Sequence, residues 1–328
     1  MICELEYKVL TIEDTGFEAL ALAIFHFQYE HNQVYRQYVD LRGIDPTAVN
    51  TIKGIPFLPI DFFKTHTIIV TPFQYETVFE SSGTTQAIKS KHFVKDLSLY
   101  KKSFVKGFEN FYGPVEDWCI LGLLPSYLER KNSSLVTMVQ EFIERSKSDQ
   151  SGFYLSEHDK LHHVLEQLEK KKQKTLLLGV TFALLDFAQT HPQRLQHTTV
   201  METGGMKGRR EELIREEVHA ILQSAWDLPG IHSEYGMTEL LSQAYSQGKG
   251  IFQCPPWMKV LIREEDDPLS IRHKGRGLIN IIDLANIYSC CFIATDDMGL
   301  LHPDGSFEVI GRRDNSDMRG CSLMAASL

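Results

Sequence analysis

Residues 174–181 read KTLLLGVT, and residues 117–126 read DWCILGLLPS. Each is a continuous apolar run of strand length, without the alternation of a half-exposed strand. Such runs suit strands buried on both faces. Around them lie segments of helical period: SLVTMVQEFIERS at 134–146, SEHDKLHHVLEQLEKK at 156–171 and RREELIREEVHAILQSAW at 209–226. Strand–helix alternation from about 90 to 228 predicts a layered α/β sheet. The last hundred residues change character. MKVLIRE (258–264), GLINIIDL (277–284), SCCFIATDD (289–297) and SFEVIGR (306–312) read as short strands between Gly, Pro and Asp turns. They predict a smaller β-rich subdomain from about 245 onward.

Toward the N-terminus, Phe17, Leu20, Ile24, Phe27, Val34 and Tyr38 recur at roughly helical spacing. They predict a helix over 13–42, with Asp14 or Thr15 able to cap its start. Pro46, Pro56, Pro59 and Pro72 then favour extended and turn structure over 44–75. Within that stretch HTIIV, residues 66–70, reads as a short strand.

The chain has 328 residues, 43% of them apolar and 23% charged, which is the balance of a globular protein with a substantial core. Its formal charge of -9 argues against a duplex-binding surface, which needs a basic face. The basic run Lys170–Lys172 with Lys174 follows an acidic helical stretch and reads as a solvated helix end. No regular repeat stands out, which argues against solenoids and propellers. The apolar stretch Ala19–Phe27 is too short to span a bilayer and has no signal-peptide layout, so the expected location is cytoplasmic, with no membrane span. Cysteines at 3, 119, 254, 290, 291 and 321 include no CxxC pair and suit reduced, mostly buried thiols. Cys254, before Pro255 and Pro256, reads as a packed turn.

The stretch richest in chemistry is SSGTTQAIK at 81–89, which follows the strand-like VFE. Ser81, Ser82, Thr84 and Thr85 surround Gly83, and Lys89 adds a positive charge. A turn of this composition is either an ordinary polar loop or a cradle of neutral donors and one ammonium around a polyphosphate. It is not a Walker A loop, because the second glycine is absent. His219 and His232 are possible bases, though isolated histidines are more often structural. His158, His162 and His163 share a helical stretch without a clear fourth metal ligand.

Three further segments bear on the choice: EYGMTE at 234–239, TDDMG at 295–299 and GRRDNSDMRG at 311–320. In order and approximate spacing, the four segments resemble the adenylate-forming superfamily of acyl-CoA ligases and acyl-protein synthetases. Within it, the chain is similar to the acyl-protein synthetase family of the bacterial luciferase fatty-acid reductase complex. IPFLPIDFFKTHTI, FESSGTT, EYGMTELLSQAY, CPPWMKVLIR, GLINIIDLANIYSCCFIATDDMG and RGCSL carry that likeness over nearly the whole length.

The resemblance implies the large-domain architecture of that superfamily: layered α/β sheets plus a small β-rich subdomain, without the usual C-terminal domain and its adenylation lysine. The implied division is an N-terminal helical and extended segment (1–80), an α/β nucleotide-binding subdomain (81–230), a β-rich subdomain with the adenine and ribose motifs (231–320) and a C-terminal tail (321–328). It implies ATP and Mg²⁺. Ser81, Ser82, Gly83, Thr84, Thr85 and Lys89 would hold the β- and γ-phosphates. Gly204 and Gly205 would lie against the adenine, and Tyr235, followed by Gly236, would stack on it. Thr238 would touch the α-phosphate, Glu239 would hold Mg²⁺, and Asp297 would bind the ribose with Arg312 nearby. Gln86, Ile88 and Asp296 depart from the superfamily pattern, Gln86 and Asp296 standing where glycine is usual and Ile88 where proline is frequent.

The expected reaction joins a carboxylic acid, by resemblance a fatty acid, to AMP and then passes the acyl group to a thiol. A carboxylate is a poor electrophile, and adenylation supplies the leaving group. By the same resemblance the acceptor is Cys321, and a partner reductase takes the acyl group onward. A thiol of ordinary pKa is only about 3% thiolate at pH 7, and Arg319 is placed to raise that fraction. Read on its own, Cys321 can equally be a passive tail residue. Two alternatives remain open at this stage: transfer to CoA, a carrier protein or another small acceptor, and a non-catalytic nucleotide- or acyl-binding subunit.

Overall fold

The two apolar runs become the centre of a six-stranded sheet. Cys119–Leu123 and Thr175–Val180 lie parallel and side by side, with every residue buried. Thr198–Thr203 and then His232–Tyr235 extend the sheet in the same direction, and Gly152–Phe153 pairs on the other side. Ala244–Ser246 ends it antiparallel to His232–Tyr235. Helices Ser134–Arg145, His158–Lys170 and Arg215–Trp226 alternate with these strands, as the periodicity predicts, and Thr181–Thr190 adds a helix that the sequence reading did not name. The Ser133 hydroxyl caps the first of them by accepting from the Val136 N–H. These observations come from a computed structural model, which describes all residues except 1, 13, 82–87, 126–131, 156, 205–212, 266, 268 and 314–328.

A second sheet is mostly antiparallel. Its strands run in the order Ile251–Phe252, Phe307–Arg312, Phe292–Leu301, Gly275–Asp283, Met258–Arg263 and Ile271–Arg272. Leu58–Pro59 joins it from far upstream, parallel to Phe292–Leu301, with Leu58 opposite Ile293 and Pro59 opposite Ala294. Strand Phe292–Leu301 alternates buried and half-buried positions over its second half, as expected for a sheet with one solvated face. By sheet membership, His232–Tyr235 and Ala244–Ser246 belong with the parallel strands, while the antiparallel sheet, Leu58–Pro59 apart, is drawn from residue 251 onward.

A two-stranded hairpin pairs Thr77–Glu80 with Lys91–Val94, Thr77 opposite Val94 and Glu80 opposite Lys91. It presents the hydroxyl-rich loop. Phe79 anchors it to helix Leu97–Tyr112 through Tyr100, at 5.2 Å between ring centroids. One buried apolar cluster runs from Leu5 to Phe307 and joins all these elements. Its largest fully buried side chains, such as Trp226, Trp257 and Phe104, each stabilise the fold by about 2–3 kcal/mol through area removed from water.

The N-terminal expectations need two corrections. Instead of one helix over 13–42 there are two, Phe17–His31 and Gln33–Leu41, preceded by Ile2–Thr11 and a short turn at Asp14–Gly16. Neither Asp14 nor Thr15 is the cap: Gly16 stands there and makes no side-chain capping bond. Asn32 interrupts the pattern because its side chain accepts the Tyr35 N–H and starts a new helix. Residues 66–70 form no strand. Their backbone bonds go to irregular neighbours, Val70 N–H to the Tyr288 carbonyl and the Ile68 carbonyl to the Ser289 hydroxyl, so no ladder develops.

Candidate active site

The hairpin and the EYGMTE stretch meet directly. His92, on the returning hairpin strand, is buried, and its Nδ1 lies 2.8 Å from the Thr238 carbonyl. Burial pushes its imidazole down to about 4, so it is neutral at pH 7 and donates from Nδ1. Two residues earlier, the Ser90 hydroxyl bonds the Glu239 carboxylate. Burial raises the Glu239 carboxyl, and that hydroxyl and the charges of Arg312 and Lys64 oppose the rise. The loop mouth is closed by Ser81 N–H to the Ser90 carbonyl (3.0 Å) and Ser90 N–H to the Ser81 Oγ (2.9 Å). Lys89 Nζ stands 3.3 Å from Glu80 Oε2, and both side chains are partly exposed. Ser82, Gly83, Thr84 and Thr85 lie outside the described residues, as does Gln86.

The second group of expected residues also converges. The Tyr235 hydroxyl donates to Asp297 Oδ2 at 2.7 Å, across 62 positions of sequence. Arg312 Nε donates to the other carboxylate oxygen of Asp297 at 3.1 Å. Asp297 is buried, whereas the Arg312 side chain is 80% exposed, so the pair has a dry end and a wet end. Phe252 and Phe307 meet the Tyr235 ring edge-on at 5.9 and 5.5 Å. The sheets explain the meeting: Tyr235 ends a parallel strand, and the register of the antiparallel sheet puts Asp297 opposite Arg312.

Beneath these residues lies a layer of buried carboxylates that the sequence reading did not single out. Glu202 accepts from Thr181 Oγ1 at 2.8 Å and Ser233 Oγ at 3.0 Å. It also faces His219 Nε2 at 3.3 Å and Arg215 Nε at 3.4 Å. Burial alone would raise this carboxyl, but the His219 bond and the Arg215 charge hold it below the ordinary value. His219 therefore has a structural partner. Glu234, buried next to Tyr235, accepts the Thr203 hydroxyl. Burial pushes its carboxyl up to about 7, and the Glu202 charge adds to that. The Thr181 hydroxyl also bonds the Gly204 carbonyl at 2.6 Å, fixing the start of the GG turn. Gly204 has φ +67°, the left-handed region that favours glycine. Gly205 lies outside the described residues. At Gly236 a Cβ would come within 2.3 Å of Glu234 Oε1, so only glycine follows Tyr235 without displacing that carboxylate.

The remaining expectations sort as follows. Cys321 and Arg319 lie outside the described residues. Cys119, Cys254, Cys290 and Cys291 are free thiols. Burial raises all four, Cys254 and Cys290 to about 12, which disfavours the thiolate in each. His232 meets the Tyr112 hydroxyl at 3.1 Å. Among the described residues, no group of three or more His, Cys, Asp or Glu is placed to hold a metal ion, and His158, His162 and His163 are no exception. No described helix is long and apolar enough to cross a membrane.

Comparison with known proteins bears on the family and the fold. Two curated relatives are each a long-chain-fatty-acid–luciferin-component ligase. The one from Vibrio harveyi is 24% identical over 93% of this chain and 85% of its own. The one from Aliivibrio fischeri is 23% identical over 95% and 88%. Among solved structures, a 2-hydroxyisobutyryl-CoA ligase superposes with a TM-score of 0.64 at 11% identity, over 91% of this chain and 68% of its own. ATP-bound MatB from Rhodopseudomonas palustris gives 0.56 at 14% identity over 73% of this chain, which spans only 48% of the MatB chain. These structural likenesses establish the fold as that of the adenylate-forming ligases. The family model described as acyl-protein synthetase, LuxE, matches residues 13–327, and the chain belongs to that family.

Proposed function

We propose that this protein activates a carboxylic acid, a fatty acid by likeness to its relatives, with ATP to give acyl-AMP, and then transfers the acyl group to the Cys321 thiol. The observation that carries the reading is the bond between His92 and the Thr238 carbonyl, which brings the base of the hydroxyl-rich loop against EYGMTE.

The assigned roles follow from that meeting. Ser81 through Thr85, with Lys89, hold the β- and γ-phosphates. Gly204, Gly205 and Tyr235 enclose the adenine, with Gly236 keeping Glu234 in place. Asp297, supported by Arg312, accepts from the ribose hydroxyls. Thr238 donates to the α-phosphate. Glu239 suits Mg²⁺: it is a desolvated carboxylate beside a hydroxyl, and hard cations prefer such oxygen donors. Bound there, the ion neutralises phosphate charge.

In the first step a carboxylate oxygen of the acid attacks the α-phosphorus. The bond from phosphorus to the bridging oxygen breaks, and pyrophosphate leaves with the electron pair. In the second, the Cys321 thiol gives up its proton to water, its thiolate attacks the acyl carbon, and AMP departs. The acyl group is then a thioester that an acyl-reductase partner can accept. The free thiols suit the reducing cytoplasm.

Incubation with ATP, Mg²⁺ and labelled fatty acids of several lengths tests this. The expected result is pyrophosphate release together with hydroxylamine-labile label on the protein. Cys321→Ser should lose the label and keep the pyrophosphate. Pyrophosphate without label on the unaltered protein would point to CoA, a carrier or another small acceptor. Neither signal would leave a nucleotide-binding subunit.

A further inference from the structure

The turn Phe62–Thr65 is held by both sides of the site, and its lysine has no role in the scheme above. On one side the Ile60 N–H donates to the Ala294 carbonyl at 2.9 Å, on the strand that carries Asp296 and Asp297. On the other, buried Phe63 meets the His92 ring edge-on at 5.8 Å, and His92 is the residue bonded to the Thr238 carbonyl. The turn therefore bridges the strand of the expected ribose ligand and the hairpin of the expected phosphate loop. Lys64 is 43% exposed, and its Nζ lies 2.6 Å from Asp61 Oδ1, on the same turn.

We propose that Lys64 is a further catalytic residue of adenylation, whose ammonium leaves Asp61 to contact the α-phosphate and offset the charge that builds there. This rests on the nucleotide reading above. In a nucleoside triphosphate the α-phosphate joins the ribose to the polyphosphate. With the ribose at Asp297 and the metal at Glu239, that phosphate falls between the two elements that the Lys64 turn joins. Arg312 is paired with Asp297, and Lys89 with Glu80 at the loop mouth, where the scheme above gives it the β- and γ-phosphates. A lysine on a flexible four-carbon stem can exchange one anionic partner for another. The step needs no proton from it: the bond made is carboxylate oxygen to α-phosphorus, and the pair released goes with pyrophosphate.

The test compares the full chain with Lys64→Ala and Lys64→Arg in acid-dependent ATP–pyrophosphate exchange, with ATP affinity and thermal midpoint measured alongside. Lys64→Ala should lower the exchange kcat about 100-fold or more, the effect of deleting one donor to developing charge. ATP affinity should stay within about threefold, as for a contact made chiefly in the transition state. The midpoint should hold, and Lys64→Arg should recover part of the rate. An exchange kcat within about threefold of the unaltered protein overturns the proposal. So does a loss fully matched by weaker ATP binding or by a fallen midpoint. If the unaltered protein shows no acid-dependent exchange, the nucleotide reading itself fails and this proposal falls with it.

Discussion

Tyr235 and Lys89 stand on the two sides of the candidate site and are held in opposite ways. Tyr235 is buried, packed edge-on by Phe252 and Phe307, and bonded to a buried Asp297. Its setting is made by two many-stranded sheets. Lys89 sits half-exposed at the mouth of a two-stranded hairpin, beside a partly exposed Glu80. Two-stranded ribbons are marginal without outside support, and this one is supported through Phe79 and His92. The side proposed for the nucleoside is thus part of the core, so altering it costs folding free energy as well as any binding it provides. The phosphate side is an attachment whose charged tip can change at little cost to the fold.

The largest expected effect concerns Glu234. Its carboxyl lies near 7 in the folded chain against an ordinary 4.5. A group raised in this way favours the fold in its protonated form. That support is complete below about pH 4.5 and is lost as pH rises through 7, by about 3 kcal/mol. Glu234→Gln keeps an acceptor for the Thr203 hydroxyl and removes the titration. Urea unfolding at pH 4.5 and pH 8 should therefore show the variant gaining about 3 kcal/mol on the unaltered chain over that interval. A constant difference would mean that Glu234 is reached by water and that this side is less dry than its burial indicates.

A smaller effect is expected from Tyr235→Phe, which removes one hydroxyl and leaves Asp297 Oδ2 without that partner. It should lower unfolding free energy by about 1–2 kcal/mol and weaken ATP binding, read by denaturant unfolding and calorimetric titration. Undiminished stability would separate the hydroxyl from the structural frame. The least stability change is expected from Lys89→Ala. Its exposed pair with Glu80 should shift unfolding free energy by less than about 0.5 kcal/mol, while acid-dependent pyrophosphate release falls clearly. If stability and activity fell together, the contrast between the two sides would be lost.

What the sequence displayed, and what it hid, follows the same physical line. Cys119–Leu123 and Thr175–Val180 were legible because a strand covered on both faces writes a continuous apolar run. The helices at 134–145 and 158–170 were legible because one buried stripe recurs with helical period. The return strand Lys91–Val94 was not read, since its only signal is His92 and Val94 turned inward across a polar background. Residues 66–70 looked like a strand because Ile68 and Val70 are both buried, yet pattern alone carries no information about whether a partner strand lies alongside. Within the site, Tyr235, Asp297 and Arg312 were named from their segments, and the structure brings them into contact. Glu202, Glu234 and Lys64 were passed over. Their significance comes from neighbours tens to hundreds of positions away, and no local spacing records it.

One short pairing has a consequence for how the molecule comes into being. Leu58 and Pro59 complete their ladder on Ile293 and Ala294, and Gln28 gives its amide to carbonyls at Asn286 and Ile287. A ribosome delivers the first of these partners long before the last. The turn carrying Lys64 must therefore wait, without its sheet, until more than two hundred further residues have been translated. Contacts of such separation make for slow folding. The parallel strands between 119 and 235 are free to assemble in the meantime, so the site would be among the last features of the newborn chain to take shape.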